Sequence, residues 1–201
     1  MSFAKEISDL KKYIEKAYQS TYAKISPNIF RGHLRAISAD IENGIAMFTA
    51  SILPQHKLFL DVSIHVGGKN NRPDLLIINE RNEVVAMVEI KANMGYCRNA
   101  QAVIDNIIAN NNQFRDKGTL ECEFSREERQ TVSYKDNVKL FLISLTEQNC
   151  TASNHASNKF YAASKGVKQF NLFSGWYENL SDCEISQYAS ELQNIAQGLI
   201  D

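Results

Sequence analysis

Two acids and a lysine stand out for where they fall. Asp74 precedes the short apolar run Leu75-Leu76-Ile77-Ile78, and Glu89 and Lys91 close the run that begins at Val84. The polar segment from Asn79 to Glu83 reads as the turn of a hairpin between them. With Arg81 and Asn82 as the central turn residues, paired positions add up to 163, which sets Asp74 directly opposite Glu89. Lys91 follows two residues later on the same face. That face of the second strand otherwise carries Val85 and Met87, while Val84, Ala86, Val88 and Ile90 occupy the other. A strand apolar on both faces is buried on both, and unpaired charge at its end is costly. Pairing the charges with one another or with a metal removes that cost.

Two carboxylates facing each other at a strand end can seat a hard divalent cation, because Mg²⁺ takes oxygen ligands and keeps several of its waters. Mn²⁺ is the natural substitute, and the backbone carbonyl of Ile90 can add a ligand. A cation so held orients and acidifies a water and neutralises a phosphoryl oxygen, while a nearby lysine positions that water or stabilises developing negative charge. This is the chemistry of phosphodiester hydrolysis. The competing account is a structural salt bridge, since Glu-x-Lys alternation is common on exposed strands. The apolar character of both faces favours the metal site.

The elements that must position these residues follow from periodicity. Ile37, Ile41, Ile45, Phe48 and Ile52 recur at steps of three and four and predict a helix over 35–53, ending at Leu53-Pro54. Leu58, Leu60, Val62, Ile64 and Val66 alternate and predict one strand over 56–66, with Gly67 to Asn71 as its turn. With the two strands flanking Asn79–Glu83, this reads as a three-stranded meander. Ala100, Val103, Ile104, Ile107, Ile108 and Phe114 predict a helix over 97–115, and 138–145 is a further apolar strand. Residues 116–136 and 149–158 read as loops, 170–173 as a short strand and 181–200 as a closing helix. Ser26-Pro27 reads as a helix N-cap followed by proline. The whole chain is expected to be one α/β domain.

Pro73-Asp74, a gap of 14 residues and then Glu89-Ile90-Lys91 resemble the PD-(D/E)xK motif of restriction-endonuclease-like nucleases. The element order is similar to that family's αβββαβ core, a mixed sheet flanked by helices, over roughly residues 35–146. The resemblance implies a metal-dependent nuclease, most naturally a DNA endonuclease, with Asp74 and Glu89 binding Mg²⁺ and Lys91 helping to activate water. It also implies an acid on the helix before the first strand. Glu42 is the candidate, because it shares a face with Ile45, Thr49 and Ile52, whereas Asp40 lies on the Gly44 and Met47 side and reads equally as a first-turn charge behind Ser38. Asn93, Arg98 and Gln101 follow Lys91 where the family often places polar groups facing its cleft, and surface solvation accounts for them equally well.

Composition narrows the rest. With 201 residues, 44% hydrophobic and 22% charged, the chain is that of one globular domain, and its formal charge of −1 gives no overall basic excess for nucleic acid. Residues 1–36 nevertheless hold seven bases and three acids, a net +4 against −5 over the other 165. A lysine-bearing helix is more often a solvated face than a phosphate contact, and Tyr13, Tyr18 and Tyr22 are more naturally packing than base-stacking residues. No membrane-length apolar run or signal core is present, so the cytoplasm is the expected location. Four dispersed cysteines and four dispersed histidines argue against disulfides, a zinc site or a Cys/His nucleophile. Gly67-Gly68-Lys69 lacks the spacing of a phosphate loop. A near-neutral monomer covers few phosphates, which makes a homodimer a candidate assembly. The alternative function is a nucleic-acid-binding or assembly module that keeps this fold without cleaving.

Overall fold

A computed structural model describes residues 3–23, 37–93, 99–125, 127–146, 150–175 and 179–198. Ser26-Pro27 and Arg98 lie outside the described residues, as do Lys24, Arg31 and Arg35 of the basic N-terminal stretch. At the centre stand two long strands, β5 (Glu83–Asn93) and β7 (Arg129–Thr146), paired in parallel. β4 (Leu75–Ile78) lies antiparallel on the outer side of β5, and β1 (Lys57–Leu60) lies antiparallel on β4. On the far side of β7, β8 (Val167–Ser174) runs parallel and carries the short β9 (Ser181–Asp182). The first half of β7 takes a different partner, β6 (Thr119–Glu123), which leads to the hairpin of β2 (Ser63–Val66) and β3 (Lys69–Asn71).

Parallel neighbours need a crossover, and both crossovers are helices on one face of the sheet. These are α3 (Ala100–Lys117) between β5 and β7, and α4 (Ala152–Ser164) between β7 and β8. The opposite face is covered by α1 (Ala4–Ala23), α2 (Ser38–Ile52) and α5 (Ile185–Ala196). Two cores result. Ile41, Ile45, Val88, Ile90, Phe141 and Tyr188 belong to the α1/α2/α5 side, and Leu76, Met87, Ile104, Phe114 and Leu142 to the α3/α4 side. On α1, Ile7, Leu10 and Ile14 face inward at helical spacing, and Tyr13 packs where a Cβ on Gly44 would come within 2.9 Å of its ring. Tyr13 and Tyr18 are therefore packing residues, and Lys11 pairs with Asp182, on the opposite side of the sheet from α3.

The αβββαβ order is present as α2, β1, β4, β5, α3 and β7, with β2 and β3 inserted after β1. The alternating run 56–66 is thus two strands. Asp61 takes φ +49, a left-handed conformation that breaks the extended chain, and its N–H donates to the Asp74 carbonyl. The break reverses the faces, so that Leu58 and Leu60 pack toward α2 while Val62, Ile64 and Val66 pack toward α3. The turn after β2 is Gly67-Gly68 alone, both with positive φ, and Lys69–Asn71 already belong to the returning strand.

The hairpin of β4 and β5 also turns differently from the expectation. Asn82 N–H donates to the Asn79 carbonyl, Asn79 N–H to the Glu83 carbonyl, and Asn82 has φ +56. This is a three-residue loop, Glu80-Arg81-Asn82, closed by a left-handed residue. One residue farther on, the register shifts, with Ile78 opposite Val84 but Ile77 opposite Ala86, so Val85 is an extra residue in β5. The longer loop and the bulge cancel, and Leu75 meets Val88 as expected. The bulge also moves Val85 to the α2 side and leaves Val84 on the α3 side with Met87, the reverse of strict alternation. Asn82→Ala is expected to lower stability by about 1 kcal/mol through its left-handed φ, and Asn82→Gly to leave it nearly unchanged, as read from urea denaturation midpoints.

Candidate active site

Beyond the Val85 bulge, the register carries Asp74 to the level of Glu89 at the ends of β4 and β5. Asp74 is pinned by its backbone and its side chain. Its carbonyl accepts from Asp61, and its Oδ2 accepts from the Ile90 N–H at 2.6 Å. Lys91 Nζ then lies 2.6 Å from Glu89 Oε1, 3.1 Å from the Ile90 carbonyl oxygen and 3.5 Å from Asp74 Oδ2. The three oxygen sources that the sequence offers to a cation therefore converge on one point of positive charge, and that point is the Lys91 ammonium. The side chains of Asp74, Glu89 and Lys91 keep 21%, 26% and 31% exposure, so water and a substrate can reach them.

The electrostatics point the same way. Burial pushes the Asp74 carboxyl above its usual range, against the pull of Lys91 and the Ile90 N–H. Burial and then the Asp74 charge push Glu89 up, again against Lys91. Burial works to lower Lys91, but Glu89 and Asp74 together hold it above its ordinary value. Two carboxylates share one ammonium, and a further positive charge would relieve both.

Glu42 projects from α2 into the same field. Burial, followed by Asp74 and Asp61, raises its carboxyl from 4.5 to about 7. It does not complete a cluster, since no three His, Cys, Asp or Glu among the described residues are grouped to hold a metal. The oxygens that could hold a cation here are two carboxylates and a carbonyl, a number suited to a cation that retains several waters. Asp40 lies in the first turn of α2, and Ile37 rather than Ser38 precedes the helix, with no side-chain cap.

Other residues sort as follows. Asn93 is the last residue of β5 rather than part of a loop, opposite Thr146. Gln101 is exposed in the first turn of α3. Asp61 was not legible as a site residue, because its role depends on the kink between β1 and β2. Also unforeseen is a polar row across the parallel strands, with Lys91 opposite Ser144 and Ser144 opposite Asn171, whose amide nitrogen lies 3.2 Å from His155 Nδ1. Charged and polar side chains so collect at the carboxyl ends of parallel strands, where open α/β sheets place their ligands.

No family model matches the chain, and no curated protein does. Among solved structures, the chain is similar to NucC of P. aeruginosa ATCC27853 in its cAAA-bound form, with a TM-score of 0.54 over 96% of this chain and 91% of that one, at 10% identity. The fold is restriction-endonuclease-like. At that identity the likeness speaks for the fold alone. Among the described residues no helix is long and apolar enough to cross a membrane.

Proposed function

We propose that the protein is a metal-dependent phosphodiesterase that cleaves nucleic acid, most naturally a DNA endonuclease. The observation that carries this reading is the convergence of Asp74, Glu89 and the Ile90 carbonyl on a single positive point, with a lysine already there. Asp74, Glu89 and the Ile90 carbonyl would hold Mg²⁺ or Mn²⁺, which supplies an acidified water and neutralises phosphoryl charge. Asp74 is fixed for this by the Ile90 N–H, so its free carboxylate edge is oriented before any ligand arrives. Lys91, kept protonated by the two acids, donates hydrogen bonds to the attacking water and to the phosphoryl oxygen on which negative charge grows. Water attacks phosphorus in line, a new P–O bond forms as the bridging P–O bond breaks, the attacking water releases a proton to solvent and the departing oxygen takes one up from solvent.

Calorimetric titration tests the reading directly. Mg²⁺ or Mn²⁺ is expected to bind, and Glu89→Ala to weaken that binding by about tenfold or more. No binding across millimolar metal would reject a metal-dependent nuclease. Incubation with supercoiled plasmid, linear duplex, single-stranded DNA and RNA, each with metal or chelator, identifies the polymer cut.

A further inference from the structure

On the face of β5 that carries Glu89, the β2–β3 hairpin and α3 enclose a polar groove of about 380 Å³. Its size falls within the roughly 300–1,000 Å³ range of ligand sites. Glu89 is part of its lining, so the groove adjoins the candidate active site. Lys69 and Arg72 line the hairpin side, and both are exposed. The α3 side presents Asn106, Asn110 and Gln113, whose spacing of four and three puts all of them on one helical face above the buried Ile107. Asn106 and Asn110 are an unusual choice for a solvated helix face beside an active site, where Lys and Glu would solvate as well and favour helix more. Two amide atoms in the walls, Asn71 Nδ2 and Gln113 Oε1, are shielded from solvent and make no hydrogen bond among the described residues. Buried polar atoms rarely stay unpaired, so these walls hold hydrogen-bonding capacity that the chain does not use.

We infer that this groove seats the DNA strand on one side of the scissile phosphate, with Lys69 and Arg72 on backbone phosphates and the carboxamides of α3 on base edges, giving cleavage a nucleotide preference. The inference rests on the nuclease reading for the position of the scissile phosphate. Cations fit phosphate and carry no sequence information, whereas Asn and Gln offer a donor and an acceptor side by side, the pattern that reads an adenine edge. Arg72 is already steered, because its Nε donates to Ser63 Oγ at 3.0 Å across the hairpin, and it stands two residues before Asp74 in the chain. A phosphate held there would be next to the one under attack at Asp74 and Glu89.

The test separates binding from cutting. Short duplex DNA is titrated by fluorescence anisotropy against the full chain, Lys69→Ala/Arg72→Ala and Asn106→Ala/Asn110→Ala, each checked for an unchanged melting temperature. The double cation variant is expected to bind about tenfold more weakly, with a salt slope shallower by about 2. Sequencing of cut ends from a random-sequence library is expected to show a base bias near the cut that Asn106→Ala/Asn110→Ala loses. Unchanged affinity and salt slope in the cation variant overturn the groove whether or not the parent cuts, and so does an unchanged base bias in the carboxamide variant. A parent that binds through the groove yet never cuts overturns the nuclease reading and leaves the groove standing as a DNA site.

Discussion

Metal-dependent cleavage is expected to fall by about 10²–10³-fold or more in Lys91→Ala, while the fold survives. The ammonium touches Glu89, Asp74 and the Ile90 carbonyl, and it pairs with both carboxylates. Its loss removes the hydrogen bonds that stabilise charge on phosphorus and orient water. The same substitution leaves two half-buried acids side by side, and their pKa values, already raised by burial, rise further. Protons then absorb part of the repulsion, and because the side chains are partly exposed the stability cost should be only about 1–2 kcal/mol. One consequence separates this from a structural ion pair. The ammonium competes with a divalent cation for the same oxygens, so Lys91→Ala is expected to bind Mn²⁺ at least as tightly as the parent while it fails to cut. A purely structural salt bridge would instead lose stability with no change in metal affinity or cleavage. Thermal melting, metal titration and plasmid cleavage on one preparation decide between them, and cleavage at the parental rate by Lys91→Ala would reject the role.

The meeting of Asp74, Glu89 and Lys91 was legible because its signals are local. Asp74, Glu89 and Lys91 lie within one hairpin, and a register set by apolar alternation brings them together even though the loop proved three residues long and β5 gained Val85. Alternation fails where the backbone leaves the extended region for reasons the side chains do not announce. Asp61 at φ +49 splits one apparent strand into two with opposite faces, a change invisible to a count of apolar residues at even spacing. β6 and the first half of β7 read as loop in the sequence because only Leu120, Cys122, Val132 and Tyr134 are buried there, one residue in two, with charge and polar groups between them. That spacing was the signal, and the surrounding Glu, Arg and Lys obscured it. α4 is harder still. Its buried positions include His155 and Ala162, its large apolar Phe160 is 79% exposed, and its best mark is the N-cap Thr151, whose hydroxyl accepts from the Asn154 N–H. Topology could have demanded it, since parallel β7 and β8 need a crossover, but the direction of β8 is itself a tertiary fact. The groove residues on α3 were missed for a related reason, since their partner wall comes from a hairpin some forty residues earlier in the chain.

Glu42 carries the expected pH response. The folded protein retains its proton up to about pH 7, whereas the unfolded chain releases it near 4.5. Between those values the folded state binds more protons than the unfolded one, so stability declines as pH rises, and the whole penalty is in place above pH 7. Undiscounted, a shift of that size would correspond to about 3 kcal/mol, but Glu42 is only half-buried and solvent screens its neighbours, so about 1–2 kcal/mol is the realistic effect. Glu42→Gln keeps the shape, removes the titration and lowers the repulsion that Asp74 and Asp61 exert on the site. It is therefore expected to match the parent near pH 4.5 and to exceed it by about 1–2 kcal/mol at pH 8, measured by urea denaturation in chelator. Asp74 and Glu89, whose carboxyls are also raised, contribute a decline of the same sign; they remain in both proteins, so all of it but the part that comes from their repulsion with Glu42 cancels from the difference. A stability gap that is equal at the two pH values would show that Glu42 does not titrate in this window and that its carboxylate is solvated away from Asp74. If the gap opens with pH as expected, the parent protein at pH 8 holds a repulsive group of acids at the ends of β4 and β5. Added Mg²⁺ should then stabilise the parent more than Glu42→Gln, because more negative charge awaits neutralisation there.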